Sequence, residues 1–157
     1  MEVVAHARTE ARPLTNKLLV AAAAYSVVTA VLHVTGGTSQ YATPLPGSAL
    51  DEQVRFVLLA VWHMSSIAIS LSAGALVWCA ARRSGPEARQ MIIFIASMWI
   101  GFGLCFLFVA LTEAGDDLVS KLVGPPVLLI PPGILALASQ RRRAQPPSAN
   151  DLPSNQT

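Results

Sequence analysis

Residues 91–112 read MIIFIASMWIGFGLCFLFVALT, which is 22 residues without one charged side chain. A soluble domain carries about 25% charged residues, so a stretch of this length would ordinarily hold five or six. A run this long and this apolar has the length of a membrane-crossing helix, which needs about 20 residues. The rest of the chain repeats the pattern. Apolar runs cover about 18–35, 54–81 and 122–138, separated by segments that hold most of the charge. Over all 157 residues the charged fraction is 13% and the hydrophobic fraction 53%, more apolar surface than a chain of this size could bury in water. The sequence therefore predicts an all-α membrane protein, an antiparallel up-down bundle of four transmembrane helices whose principal partner is the lipid bilayer.

The basic residues orient that bundle. Nine of the 11 lysines and arginines (Arg8, Arg12, Lys17, Arg82, Arg83, Arg89 and Arg141 to Arg143) fall on one side of a four-span zigzag. Only Arg55 and Lys121 fall on the other, together with Asp51, Glu52, Glu113, Asp116 and Asp117. The positive-inside rule puts both termini and the 82–89 turn in the cytoplasm. The chain then divides into a cytoplasmic tail (1–16), a transmembrane domain (17–139) and a Pro-, Ser- and Asn-rich tail (140–157) with the composition of disorder. The loops are expected at 36–53 and 113–121. A cleaved signal peptide is disfavoured, because the first apolar run is long and lacks a small-residue cleavage site. The basic residues are not interleaved with aromatics, so nucleic acid is not a partner.

Membrane helices associate through small residues. Stripes at i, i+4, i+8 occur at Ala22/Ser26/Ala30, Ser66/Ser70/Gly74 and Ser97/Gly101/Cys105, and are expected to face inward or to meet a second copy or another membrane protein. Cys79 and Cys105 read as small packing residues, Trp62 and Trp99 as packing or lipid-facing aromatics, and Trp78 as part of an interfacial belt. Tyr41 is placed to cover the mouth of the bundle.

His33 lies three residues after Ala30 and His63 three residues before Ser66, so both are predicted on packing faces. Topology gathers them in the external half with Glu113 and, beyond it, Asp116 and Asp117. Pro131 and Pro132 predict a kink in the fourth helix that strips the carbonyls of Val127 and Leu128 of helical partners. Three readings compete for this polar cluster. The histidines are structural; or, with Glu113, they bind a divalent metal or relay protons; or they ligate a haem, which their difference in depth argues against. No ligand motif of short spacing supports the second, and no cofactor is expected. No Gly-x-Ser-x-Gly, His-Glu-x-x-His or phosphate-binding glycine loop occurs, and the extramembrane segments are too short for a catalytic domain, so an enzyme is not expected. The favoured reading is a structural or accessory component of a membrane complex.

Leu32-His33-x-x-Gly36-Gly37, a short proline-containing loop and then Val61-Trp62-His63 together resemble a family of small four-span bacterial inner-membrane proteins. The resemblance spans most of residues 18–138. It implies a bacterial inner membrane and no particular activity. Relatives in that pattern open the fourth span after a Pro-Gln-like segment, where this chain has Pro125-Pro126 and Pro131-Pro132.

Overall fold

A computed structural model describes residues 16–82, 86–113 and 124–141, without the side chains of Glu113 and Arg141. Asp116, Asp117, residues 1–15 and residues 142–157 lie outside the described residues. All regular structure among the described residues is helical: α1 (Lys17–Leu32), α2 (Glu52–Ala81), α3 (Pro86–Glu113) and α4 (Gly124–Arg141). Three helical stretches, Lys17–Gly47, Glu52–Ala81 and Pro86–Thr112, are long and apolar enough to cross a membrane, and α4 is a shorter apolar helix.

Helix starts follow ordinary capping chemistry. Asn16 accepts from the Leu19 amide through Oδ1, and its Nδ2 donates to the carbonyl of Ser139 on α4. Asp51 caps α2 by accepting from the amide of Gln53 at 2.9 Å. Pro125 and Pro126 stand at the first turn of α4, where no intrahelical amide bond is lost.

The end of α1 departs from expectation. The chain does not turn into a loop at Gly36. It continues as a wider π-helix from His33 to Ala42, and the open connection shrinks to the residues between that point and α2. Hydroxyls support the widened turns: Thr35 donates to the carbonyl of Val31, Ser39 to Gly36, and Thr43 to Thr38 through both its amide and its side chain. Threonine and serine, which beside Gly36-Gly37 read as loop composition, here donate to the helix's own carbonyls.

The packing faces were legible for α1 only. Ala22 and Ser26 are fully buried, as the stripe predicts. On α2 the buried face is Ile69, Ser72, Ala73, Leu76 and Cys79, while Ser70 and Gly74 are exposed. On α3 it is Ile92, Ile95, Ala96, Trp99 and Ala110, while Ser97, Gly101 and Cys105 are exposed. The reason is that large side chains seat over small ones, not small over small. Ile130 of α4 fills the space above Gly103 of α3, and Ile100 of α3 fills the space above Gly133 of α4. These reciprocal contacts run α3 and α4 antiparallel at close range. Trp99 is the largest fully buried side chain; its indole N–H donates to Ser72 Oγ at 2.8 Å and ties α3 to α2.

Helix α4 runs unbroken through Pro131 and Pro132. The two carbonyls that the prolines strip of amide donors are taken by α1. Tyr25 donates its hydroxyl to Val127 O at 3.0 Å, and Thr29 donates to Leu128 O at 3.1 Å. Tyr25 and Thr29 are one helical turn apart, so a single face of α1 serves both acceptors.

The glycine contacts yield a graded test. A Cβ on Gly133 would lie 2.8 Å from the carbonyl oxygen of Ala96, a backbone atom that cannot step aside, whereas a Cβ on Gly101 meets nothing within 4 Å. Gly133→Ala is expected to cost about 1–3 kcal/mol of overpacking. Gly101→Ala is expected to be neutral or slightly stabilising through helix propensity. Denaturant unfolding of the purified chain in detergent checks both.

Candidate functional site

The helices enclose a cleft of about 480 Å³ in the half of the molecule that contains the end of α1 and the start of α4. It arises because the packing is uneven along α2. From Ile69 onward α2 supplies buried residues, but between Glu52 and Ala68 none is buried, so the upper part of α2 leans on the π-helix of the preceding segment rather than on α3. All four helices and the π-helix line the space: Thr29 and His33 from the first stretch, Trp62 and Ile69 from α2, Phe102 and Phe106 from α3, Leu128 and Leu129 from α4. Its volume falls in the range of small-molecule sites, and its walls are mostly apolar with few polar groups, as such sites are.

One wall is an aromatic stack. The imidazole of His33 lies on the indole of Trp62 with ring centroids 4.3 Å apart and planes 16° from parallel. Tyr41 stands at 6.0 Å from the same indole, tilted by 40°. The close approach depends on Gly37, where a Cβ would collide with the Trp62 ring. The widened helix and the glycine together let the indole lie flat. Gly36, next to it, faces open space.

The hydrogen bond to Ser66 ties the tautomer of His33 to the direction of the Ser66 hydroxyl. Its Nε2 lies 3.2 Å from Ser66 Oγ. Ser66 has one hydroxyl hydrogen, and gives it to the carbonyl of Trp62 at 2.9 Å. With that hydrogen on the Trp62 carbonyl, Ser66 Oγ accepts and His33 Nε2 carries the proton. In the neutral ring the other nitrogen, Nδ1, is then an acceptor. It takes no hydrogen bond from a described residue and is not sealed in the interior.

Of the residues predicted to cluster, His33 is the one described histidine or carboxylate side chain that lies in this cleft. His63 is exposed and lines a separate, shallow groove on the outer side of α2 with Ser66, Ile67, Ser70 and Leu71. The inward assignment of His63 followed from its spacing to Ser66 and Ser70, and fails because that stripe is not the buried face of α2. Trp62, one residue earlier, takes the inward position. Glu113 ends α3 with its side chain outside the described residues, as are Asp116 and Asp117. Among the described residues no three His, Cys, Asp or Glu side chains gather as a metal-binding group. Pro132 acts at the site through Leu128, whose carbonyl is held by Thr29 in the cleft wall, whereas Pro131 frees the carbonyl of Val127, which Tyr25 takes. Sequence reasoning missed Gly37 as the seat of the indole and Phe102 and Phe106 as lining; the Gly36-Gly37 pair was the available signal for a close approach.

Comparison of the chain with family models, with curated proteins and with solved structures finds no match.

The assigned tautomer can be read directly. In ¹⁵N-histidine spectra at high pH, His33 is expected to show a protonated Nε2 and a bare Nδ1. Ser66→Ala, which removes the acceptor, should shift the ring toward a mixture of tautomers. A bare Nε2 in the native chain would contradict the assignment.

Proposed function

We propose that this chain is a four-span integral protein of a bacterial inner membrane, with both termini cytoplasmic, that serves as a non-enzymatic accessory component docking another membrane protein through α2. Three helices long and apolar enough to cross a membrane support the membrane reading. The fourth crossing is carried by α4, whose 18 residues extend about 27 Å at 1.5 Å per residue. That is close to the hydrocarbon thickness of roughly 30 Å. The nine-to-two split of basic residues across the zigzag supports the sidedness.

The observation that carries the docking role is the outer face of α2. His63, Ser70 and Gly74 are exposed there along one stripe. Arg82 sits over the ring of Trp78 at 5.3 Å, an arrangement suited to the cytoplasmic boundary of a span. Counting back about 20 residues from Trp78 puts the outer boundary near residue 58. His63 then sits about 7 Å inside it at 1.5 Å per residue. An imidazole facing lipid at that depth is costly, and Ser and Gly on the same stripe are what close helix–helix contacts use. A protein partner, rather than lipid, satisfies this face.

A photo-crosslinking residue placed at position 70 is expected to capture a protein in native membranes, whereas one at Phe94, an exposed position on α3, is expected to capture lipid. His63→Leu should lower the protein adduct about tenfold, the loss of an interhelical hydrogen bond worth 1–2 kcal/mol. Lipid adducts alone at position 70 would defeat the docking reading.

A further inference from the structure

The cleft lies on a different face of α2 from the docking stripe: Trp62 and Ser65 line the former, His63 and Ser70 the latter. Its polar groups are distributed unevenly along its depth. About 20 residues from Lys17 reach Gly36, so Gln40 and Tyr41 stand at the outer membrane boundary and His33 just beneath it. Deeper, the lining is Ile69, Phe102 and Leu129, without a charge. The cleft thus has a polar mouth toward the external side and an apolar floor toward the middle of the bilayer.

Its hydrogen-bonding character is also one-sided. Thr29 and Ser65 line the cleft, but each has already given its only hydroxyl hydrogen, Thr29 to Leu128 O and Ser65 to Trp62 O at 2.8 Å. Both can offer only lone pairs. In the tautomer that donates Nε2–H to Ser66, the remaining nitrogen of His33 also accepts. Beneath the mouth, Thr29, Ser65 and His33 present acceptors, and among the described lining side chains there only the weak S–H of Cys105 presents a hydrogen. Such a wall favours a ligand that donates over one that only accepts. The stacked His33–Trp62 pair and the rings of Phe102 and Phe106 favour an aromatic body.

We propose that this cleft binds a ring-bearing lipophile with an apolar tail and one hydrogen-donating hydroxyl, the tail pointing toward the floor and the hydroxyl donating to His33 Nδ1. The class is that of phenols and hydroquinones with an alkyl chain. A ketone or ether of the same shape is discriminated against at that depth, because it brings a further acceptor to Thr29, Ser65 and His33.

Calorimetric titration of the full chain in detergent with 4-octylphenol and with its methyl ether, 4-octylanisole, tests this without any substitution. The phenol is expected to bind saturably at one per chain, and the ether at least tenfold more weakly. His33→Phe retains a flat ring for the stack and should bring the phenol down to the affinity of the ether. Gly36→Leu, whose added side chain grows from an open position at the mouth, should abolish saturable binding of both while leaving the helical circular dichroism unchanged. Equal affinity for phenol and ether in the native chain, saturable binding of the phenol that survives Gly36→Leu, or no saturable binding of either probe would overturn the proposal.

Discussion

The hydroxyl bonds from Tyr25 and Thr29 to the carbonyls of Val127 and Leu128 are the constraint on which the arrangement of helices depends. In lipid a backbone carbonyl without a partner costs several kcal/mol, because no water reaches it. Two consecutive prolines in α4 create two such carbonyls one residue apart. Only a neighbouring helix with donors one turn apart on the same face can serve both, and that fixes α1 against α4 in register. Asn16 adds a third tie at the far end, where it holds the carbonyl of Ser139. The same solution recurs with polarity reversed on α2. Ser66 and Ser72 each give their hydrogen to a carbonyl of their own helix and accept a ring N–H, from His33 and Trp99 respectively.

With α1 pinned to α4, and α4 pressed on α3 through the Gly103 and Gly133 contacts, α2 is the helix left with latitude. It is held below Ile69 by packing and above by the His33–Trp62 stack. The cleft is the space between those two attachments. Its wall then inherits the chemistry of the ties: Thr29, Ser65 and His33 line it with their hydrogens already committed. The π-helix contributes to both. Its wide turns carry His33 to Trp62 and place Gly37 where the indole needs room. Stretches of π-helix are frequent at functional sites.

Much of the architecture could be read from the sequence, because length and apolarity speak directly to helices. The three long apolar helices were legible to within a few residues at most ends, and so were the carbonyls freed by Pro131 and Pro132. The faces of α2 and α3 were not. Small-residue spacing points to a face only when small residues meet small ones; here Ile100 and Ile130 seat over glycines, and the exposed stripes of Ser70/Gly74 and Ser97/Gly101 look the same in sequence. That error carried His63 inward in place of Trp62. The π-helix was hidden for a different reason. A Gly-Gly pair followed by Thr and Ser reads as a loop, and only the hydroxyl-to-carbonyl bonds along the segment show why it stays helical.

A double-mutant cycle between Tyr25 and Pro131 tests the central constraint most directly. Replacing Pro131 by alanine returns an amide N–H to the carbonyl of Val127, which then has a partner without Tyr25. Unfolding free energies in detergent should show Tyr25→Phe costing about 1 kcal/mol in the native chain, within the range of interhelical hydrogen bonds in membranes. In the Pro131→Ala background the same substitution should cost no more than about 0.3 kcal/mol, the limit of additivity error. Equal costs in the two backgrounds would show that the Tyr25 hydroxyl does not serve the carbonyl freed by the proline.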